Sequence, residues 1–165
     1  MKRLNIPQEQ ARAGKEVREV GWAEFGEIAR HLAERIGSDF QPEVVLGVVN
    51  GGVFLGGALA VHFRAEFHAV NVERGGPRRT VRERLRGLER RSVLVVDDVT
   101  VSGDTLAAVR AAARRAGAGE MRTATLVVRP GGSRPDYHAI ETREIVVFGW
   151  DYGLDPGGDP GEVGV

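Results

Sequence analysis

The sequence predicts an α/β fold in which a mostly parallel, twisted sheet is flanked by helices. Two similar units support this prediction, each an apolar run rich in β-branched residues, a short loop with glycine, and a helix of small residues. The first runs from Val44 to about Phe63 and the second from Ser92 to Ala116. Strands that are apolar on both faces are typical of parallel sheets covered by helices, and repeated βα units imply right-handed crossovers.

The remaining elements follow from periodicity. Apolar residues recur at helical spacing from Trp22 to Ile36, and Gly37-Ser38-Asp39 ends that helix. Gly117 ends the helix that starts at Leu106. The strands are predicted over Val44–Val49, Phe67–Val72, Ser92–Asp97, Thr123–Arg129 and Glu144–Phe148, with a small-residue helix from Val53 to about Phe63.

Composition limits the class of protein. The chain has 165 residues, 42% of them hydrophobic, which fits one domain that buries roughly 70% of its unfolded surface. Lys+Arg and Asp+Glu balance at 23 each, so no charged field indicates a nucleic-acid partner. Cysteine is absent, which excludes disulfides and thiolate metal sites. No signal peptide or membrane-spanning run is visible, so we expect a soluble cytoplasmic protein without a membrane partner.

A carboxylate pair and a glycine-bearing loop follow the strand that starts at Ser92. Asp97 and Asp98 end the predicted strand, and the loop Val101-Ser102-Gly103-Asp104-Thr105 opens onto a helix. Ligands of open α/β sheets bind at the carboxyl ends of the strands, and a helix N-terminus offers N–H groups to phosphate. Two carboxylates repel bare phosphate, so we expect them to meet hydroxyl groups or a cation. A phosphorylated sugar bound with Mg²⁺ suits both features, since the loop can bind its phosphate and the carboxylates can bind its hydroxyl groups or the cation.

The run Val-Leu-Val-Val-Asp-Asp also resembles the first strand of response-regulator receiver domains. That reading is excluded by length, because fewer residues follow Asp98 than such a domain requires.

Residues Val93–Thr105 resemble the 5-phosphoribosyl-1-pyrophosphate (PRPP) binding motif of the type I phosphoribosyltransferases. The resemblance implies that Asp97 and Asp98 bind the ribose hydroxyls as catalytic residues and act on Mg²⁺ indirectly, through those hydroxyls and water. It implies that the loop binds the 5′-phosphate through Val101, Ser102, Gly103, Asp104 and Thr105. It also implies a single domain over residues 1–152, with a small base-binding hood from about 123–152 and the N-terminal segment. The composition of residues 153–165 predicts a Gly/Pro-rich tail.

The loop Asn50-Gly51-Gly52 follows the first predicted strand. In the family this loop binds pyrophosphate through backbone amides, often with a non-proline cis peptide, and usually begins with Arg or Lys. Asn50 replaces that basic residue here. A neutral amide donates hydrogen bonds but does not neutralise the charge of pyrophosphate. Mg²⁺ or a basic residue elsewhere therefore has to supply more of the positive charge.

An arginine-rich segment spans Glu73 to Arg91 around Gly75-Gly76-Pro77. The resemblance implies a flexible loop that closes over the site and excludes water. A solvated, salt-bridged helix explains the same composition, because three glutamates alternate with the arginines. The sequence alone does not distinguish the flexible loop from the salt-bridged helix.

The C-terminal third resembles the base-binding end of the hypoxanthine/xanthine/guanine phosphoribosyltransferases. The resemblance implies that Arg129 reads the purine 6-oxo group, that Ile145 covers the base, and that Val146 and Asp151 lie on its N2 side. The segments that carry it are Leu126–Pro130, Pro135–Tyr137, Glu141-Thr142 and Val146–Asp151, with the Trp22 helix.

One position departs from that pattern. Enzymes for 6-oxopurines generally have an aspartate at the place of Val101, where it exchanges a proton with purine N7. Valine cannot move a proton, which leaves three alternatives. Asp104 or Asp151 takes over this role, the base that accepts the phosphoribosyl group needs no such residue, or base transfer has been lost.

These residues predict a Mg²⁺-dependent phosphoribosyltransferase that transfers the phosphoribosyl group of PRPP to a 6-oxopurine in purine salvage. A PRPP- or nucleotide-binding regulatory protein of the same fold is the alternative. PRPP and a nucleobase are the expected partners, and the family implies a homodimer or a higher homo-oligomer.

Overall fold

A computed structural model describes residues 16–73 and 79–151. Contacts divide the chain into a larger unit, residues 23–143, and a smaller unit, whose described residues are 16–22 and 144–151. The elements in chain order are β1 (Val17–Val20), α1 (Trp22–Gly37), β2 (Val44–Val48), α2 (Gly52–Phe63), β3 (Glu66–Val70), β4 (Val72–Glu73), β5 (Thr80–Val81), β6 (Val93–Thr100), α3 (Asp104–Arg115), β7 (Met121–Val128), β8 (Tyr137–Glu141) and β9 (Ile145–Phe148). A 3₁₀ turn over Gly149–Asp151 follows β9.

The larger unit is built on a five-stranded sheet in the order β3-β2-β6-β7-β8. Every neighbouring pair is parallel, and the whole of β2 is buried. This confirms the α/β fold with a mostly parallel sheet flanked by helices. The non-consecutive neighbours β2 and β6 bring two distant segments of the chain side by side.

The three helices begin and end close to their predicted positions. In α1 the buried residues lie at helical spacing, and the helix ends at Gly37. In α3 one face is buried, and Gly117, with a φ of +85°, follows the end of the helix. The buried residues are Phe25, Ala29, Leu32, Ala33 and Ile36 in α1, and Leu106, Val109, Ala112 and Ala113 in α3.

The strand β6 extends further than the sequence predicts. The predicted strand ends at Asp97, whereas β6 continues to Thr100. Its pairing with β2 stops at Val96, but its other edge stays paired with β7 as far as Thr100. Asp97 and Asp98 therefore lie on the strand, at the place where β6 has run past its neighbour.

The predicted strand Phe67–Val72 is divided in two. The parallel strand β3 ends at Val70, and the chain then forms a short antiparallel hairpin from β4 and β5. The strands β1 and β8 were not predicted, because each is short and half-exposed, so its pattern of apolar residues is too brief to indicate a strand.

The smaller unit contains a parallel pair of β1 with β9, in which Val17 lies opposite Ile145. Phe148 stacks on Trp150 with ring centroids 4.6 Å apart, and Trp22 lies 5.7 Å from Trp150. Strand β7, which the sequence assigns to the hood from about residue 123, belongs to the five-stranded sheet of the larger unit. The predicted tail, residues 153–165, lies outside the described residues.

No helix within the described residues is both long enough and apolar enough to cross a membrane.

A hydrogen bond joins the turn after α1 to β8. The hydroxyl of Tyr137 donates to Oδ1 of Asp39 at 2.7 Å. Burial and this carboxylate raise the pKa of Tyr137 from 10.0 to about 12. The folded state therefore keeps the phenol protonated at pH values at which the unfolded chain loses the proton.

The substitution Tyr137→Phe removes this bond. We expect a loss of about 1 kcal/mol in the free energy of unfolding at neutral pH. Because the folded pKa lies above the unfolded one, stability decreases as the pH rises from 10.0 to about 12 in the wild type, and this decrease should be shallower in the variant. Chemical denaturation at several pH values, from neutral to about 12, measures the free energy of unfolding and its dependence on pH. An equally steep decrease in the variant would contradict the assignment.

Candidate functional site

The carboxylates of Asp97 and Asp98 are fixed by backbone hydrogen bonds. Asp97 is 5% exposed and its Oδ1 accepts the N–H of Asp98 at 2.9 Å. Asp98 is half-buried and its Oδ1 accepts the N–H of Val99 at 2.8 Å. One oxygen of each carboxylate is thereby oriented by the strand itself, which limits the rotamers of both side chains.

The loop Asn50-Gly51-Gly52 lies directly against this acid pair. A Cβ atom on Gly51 would overlap the carboxylate of Asp98, and one on Gly52 would lie 2.7 Å from the carbonyl oxygen of Val96. Only glycine permits so close an approach. The peptide bond between Val49 and Asn50 is cis. The residues predicted to hold ribose and those predicted to hold pyrophosphate are therefore brought together.

The loop from Val101 to Thr105 connects β6 to α3. Gly103 has a φ of +82°, which turns the chain into the helix. The first bond within the helix runs from the N–H of Ala107 to the oxygen of Gly103, at 2.9 Å, so the preceding amides have no partner inside the helix and suit an anion. Ser102 donates its hydroxyl to Asp104 at 2.8 Å, and Val101 is 58% exposed.

A turn at residues 130–133 supports this loop, and sequence reasoning missed it. The N–H of Ser133 donates to the oxygen of Val101 at 3.1 Å. A Cβ on Gly103 would lie 2.6 Å from Ser133, and one on Gly132 would overlap the oxygen of Val101. The available signal was a proline followed by two glycines directly after a predicted strand, a pattern that marks a turn at the carboxyl edge.

Arg129 follows β7 in the larger unit and is half-buried. Its Nη1 donates to the carbonyl oxygen of Thr142 at 3.1 Å. This bond directs the guanidinium towards the end of β8, so the side chain is held in place before any ligand binds.

The other predicted base-binding residues lie in the smaller unit. Ile145 and Val146 are half-buried on β9. Asp151 is exposed, and its Oδ2 accepts the N–H of Phe148 at 2.8 Å. The base-binding set is thus divided between the two units, and its role stays a prediction.

The described part of the arginine-rich segment is a hairpin followed by irregular chain. Residues 79–91, as described, contain no helix, so the salt-bridged helix is not formed there. Arg82 pairs with Glu73 at 3.2 Å across the hairpin. Residues 74–78, which include two of the arginines, lie outside the described residues.

The base of this hairpin is held by Asn71. Its N–H donates to Oε2 of Glu83 at 2.9 Å, and its side-chain amide also donates to Glu83. Its carbonyl oxygen accepts the N–H of Arg82 at 3.0 Å. The amide and carboxylate groups fix both ends of the hairpin to each other.

The chain does not by itself provide a closed metal site within the described residues, where no three metal-binding side chains of the His, Cys, Asp or Glu type cluster. The adjacent carboxylates of Asp97 and Asp98 are hard oxygen donors of the kind that Mg²⁺ prefers. They fit an ion that takes its remaining ligands from water and substrate oxygens.

Two glycines on α2 give a matched test of the loop packing. Gly52→Ala should destabilise the protein by about 1–3 kcal/mol, since the added methyl meets the backbone of β6. Gly57→Ala adds the same methyl to the same helix where nothing lies within 4 Å, and it should stabilise by up to about 1 kcal/mol. Thermal or urea unfolding of both variants measures the difference. Equal effects would show that the loop does not lie against β6.

The sequence matches the family model of the phosphoribosyl transferase domain over residues 21–156. A search of curated proteins found no match. Among solved structures, a purine phosphoribosyltransferase from Pyrococcus horikoshii is 27% identical with a TM-score of 0.76, covering 82% of this chain and 94% of that one.

Two other structures are similar in fold. A xanthine-guanine-hypoxanthine phosphoribosyltransferase from Helicobacter pylori is 18% identical with a TM-score of 0.74, covering 83% of this chain and 95% of that one. A Neisseria gonorrhoeae protein with bound ppGpp is 19% identical with a TM-score of 0.70, covering 86% and 92%.

The family match includes the acid pair, the glycine loop against it and the loop that opens α3. The chain belongs to the phosphoribosyltransferase family, enzymes that transfer the phosphoribosyl group of PRPP to a base.

Proposed function

We propose that this protein is a Mg²⁺-dependent enzyme of purine salvage that transfers the 5-phosphoribosyl group of PRPP to a 6-oxopurine, releasing pyrophosphate and a nucleoside monophosphate. The observation that carries the proposal is the contact of Gly51 with the carboxylate of Asp98. This contact supports the proposal, because a loop suited to pyrophosphate then lies beside an acid suited to ribose hydroxyls. The name of the P. horikoshii protein supports a purine as the base.

Each part of PRPP has a group that suits it. Asp97 and Asp98 accept hydrogen bonds from the ribose 2′- and 3′-hydroxyls. Asn50, Gly51 and Gly52 donate to the pyrophosphate, while the loop from Val101 to Thr105 and the first turn of α3 donate to the 5′-phosphate. With both phosphate ends and the sugar held, C1 of ribose is positioned for attack, and most of the catalysis is orientation and electrostatics.

Mg²⁺ would be held through the PRPP hydroxyls and water beside Asp97 and Asp98, and it would neutralise charge on the leaving pyrophosphate. More of this neutralisation would fall to the ion here, because Asn50 supplies a neutral amide where the family usually has a cation. No protein nucleophile is needed. The bond from C1 to the pyrophosphate oxygen breaks, a ring nitrogen of the base forms the new bond to C1 with its lone pair, and the ring N–H proton of the base has to be removed to give the neutral base of the product.

The proton on the base has no acceptor at position 101. Asp104 already accepts the hydroxyl of Ser102, and Asp151 already accepts the N–H of Phe148. Each of these carboxylates still has free acceptor sites, so either can take the proton if the base lies within its reach; we infer that otherwise the base reacts as its anion, formed in water, and turnover then rises with pH until the N–H of the base itself has titrated.

The reaction is tested by pyrophosphate release from Mg²⁺–PRPP with hypoxanthine, guanine, xanthine, adenine, uracil and orotate. We expect release with a 6-oxopurine. Release only with uracil or orotate would contradict the choice of base. PRPP binding without pyrophosphate release on any base would favour the alternative, a PRPP- or nucleotide-binding regulator. The neutral Asn50 and the non-acidic Val101 support this alternative.

Restoring an acid at position 101 tests the missing proton acceptor. Val101 is exposed, so Val101→Asp should fold normally. We expect it to raise kcat for 6-oxopurines at neutral pH by at least about tenfold, since general base catalysis typically contributes more than this. Val101→Asn has the same shape without the basic group and should give no such gain. Similar kinetics for both variants would show that proton removal does not limit turnover.

The role of Arg129 is tested separately. Arg129→Ala should lower kcat/KM for the base by about tenfold to a hundredfold, the value of a charged hydrogen bond, and leave PRPP affinity unchanged. Arg129→Lys should restore most of the activity, because lysine also donates to a carbonyl. Unchanged use of every accepted base by the alanine variant would remove Arg129 from the base site.

A further inference from the structure

A cavity of about 800 Å³ lies in the larger unit, outside the site described above. One wall is the irregular chain after β5, with Arg84 and Arg86, and the other is the carboxyl-terminal end of α3, with Arg115. Within residues 16–73 and 79–151, no ion pair or hydrogen bond occupies the guanidinium groups of these three arginines. Three cationic side chains from two segments therefore converge on one cavity, and none of them has an ion-pair partner among the described residues.

The carboxylates of the lining offset part of this charge. Glu83 is already bound by the backbone and side-chain amides of Asn71, and Glu89 is the other acidic residue among the described residues of the lining. Three arginines against two glutamates leave one net positive charge, and each guanidinium can donate hydrogen bonds to an anionic ligand.

This cavity is separate from the predicted 5′-phosphate loop. That loop opens α3 at Asp104, whereas the cavity contacts the last turn of the same helix at Arg115. A helix of 12 residues is about 18 Å long. Arg84 and Arg86 consequently lie near the opposite end of α3 from the predicted 5′-phosphate loop.

The size and the other walls identify the class of ligand. A cavity of about 800 Å³ is far larger than a phosphate ion and lies within the range of sites for small organic ligands. Leu85, Ala112 and Ala116 contribute an apolar surface suited to a flat ring. Glu89 can accept hydrogen bonds from sugar hydroxyls or an amino group. We propose that this cavity is a second ligand site, which binds a nucleoside polyphosphate through Arg84, Arg86 and Arg115.

The test is a calorimetric titration of the full chain with ATP and with GTP, and with inorganic tripolyphosphate as a phosphate-only probe. It compares the wild type with the double variant Arg84→Ala/Arg115→Ala. The matched control is Arg114→Ala, which removes an exposed arginine from the same turn of α3 but outside the described lining. A separate titration with Mg²⁺–PRPP is run on the same three proteins.

We expect the wild type and the control to bind at least one of the nucleotides equally, and the double variant to bind it at least about tenfold more weakly. PRPP affinity should be the same in all three. Equal nucleotide binding by all three proteins, or none by the wild type at millimolar concentration, would overturn the proposal. Tripolyphosphate binding as tight as that of the nucleotides would overturn the nucleoside assignment. A failure of PRPP to bind any of the three would count against the proposed function and leave the nucleotide comparison intact.

Discussion

The contact between the glycine loop after β2 and the acid pair on β6 is the constraint on which the rest of the site depends. Strands β2 and β6 are parallel neighbours, so their carboxyl ends lie side by side although some forty residues of chain separate them. The backbone of Gly51 and Gly52 reaches β6 because neither residue has a side chain. A ligand held by the loop is therefore also within reach of the acids.

The additional length of β6 gives this contact its geometry. Once β6 passes β2, its free edge is open on one side while β7 continues to support the other. Asp97 and Asp98 occupy this region and are oriented by the next residues of their own strand. The turn at residues 130–133 then braces the loop from Val101 onwards. The predicted phosphate loop thus rests on two neighbouring segments and not on α3 alone.

Local patterns predicted much of the fold, and the failures have physical causes. The helix from Trp22 and the strand from Val44 were recognised because the positions of their apolar residues match the positions that are buried in each element. The end of β6 was not, because pairing with β7 continues the strand beyond the acids. The strand from Tyr137 is short and half-exposed, so its local pattern is weak. The turn at residues 130–133 was not predicted, although its proline and two glycines are a turn signal, because its role follows only from its contact with Val101.

Asn50 and Val101, the two residues that depart from the family pattern, follow the neighbouring strands β2 and β6. They lack the cation and the carboxylate that the family pattern has at these positions. Neither of them replaces Asp98, which is proposed to hold the ribose hydroxyls, so PRPP should bind whether or not a base is turned over. Calorimetric titration of Mg²⁺–PRPP into the wild type and into Asp98→Asn tests this claim most directly. Binding by the wild type that weakens at least about tenfold in the variant is the predicted result. No binding by the wild type, or equal binding by both, would contradict the account.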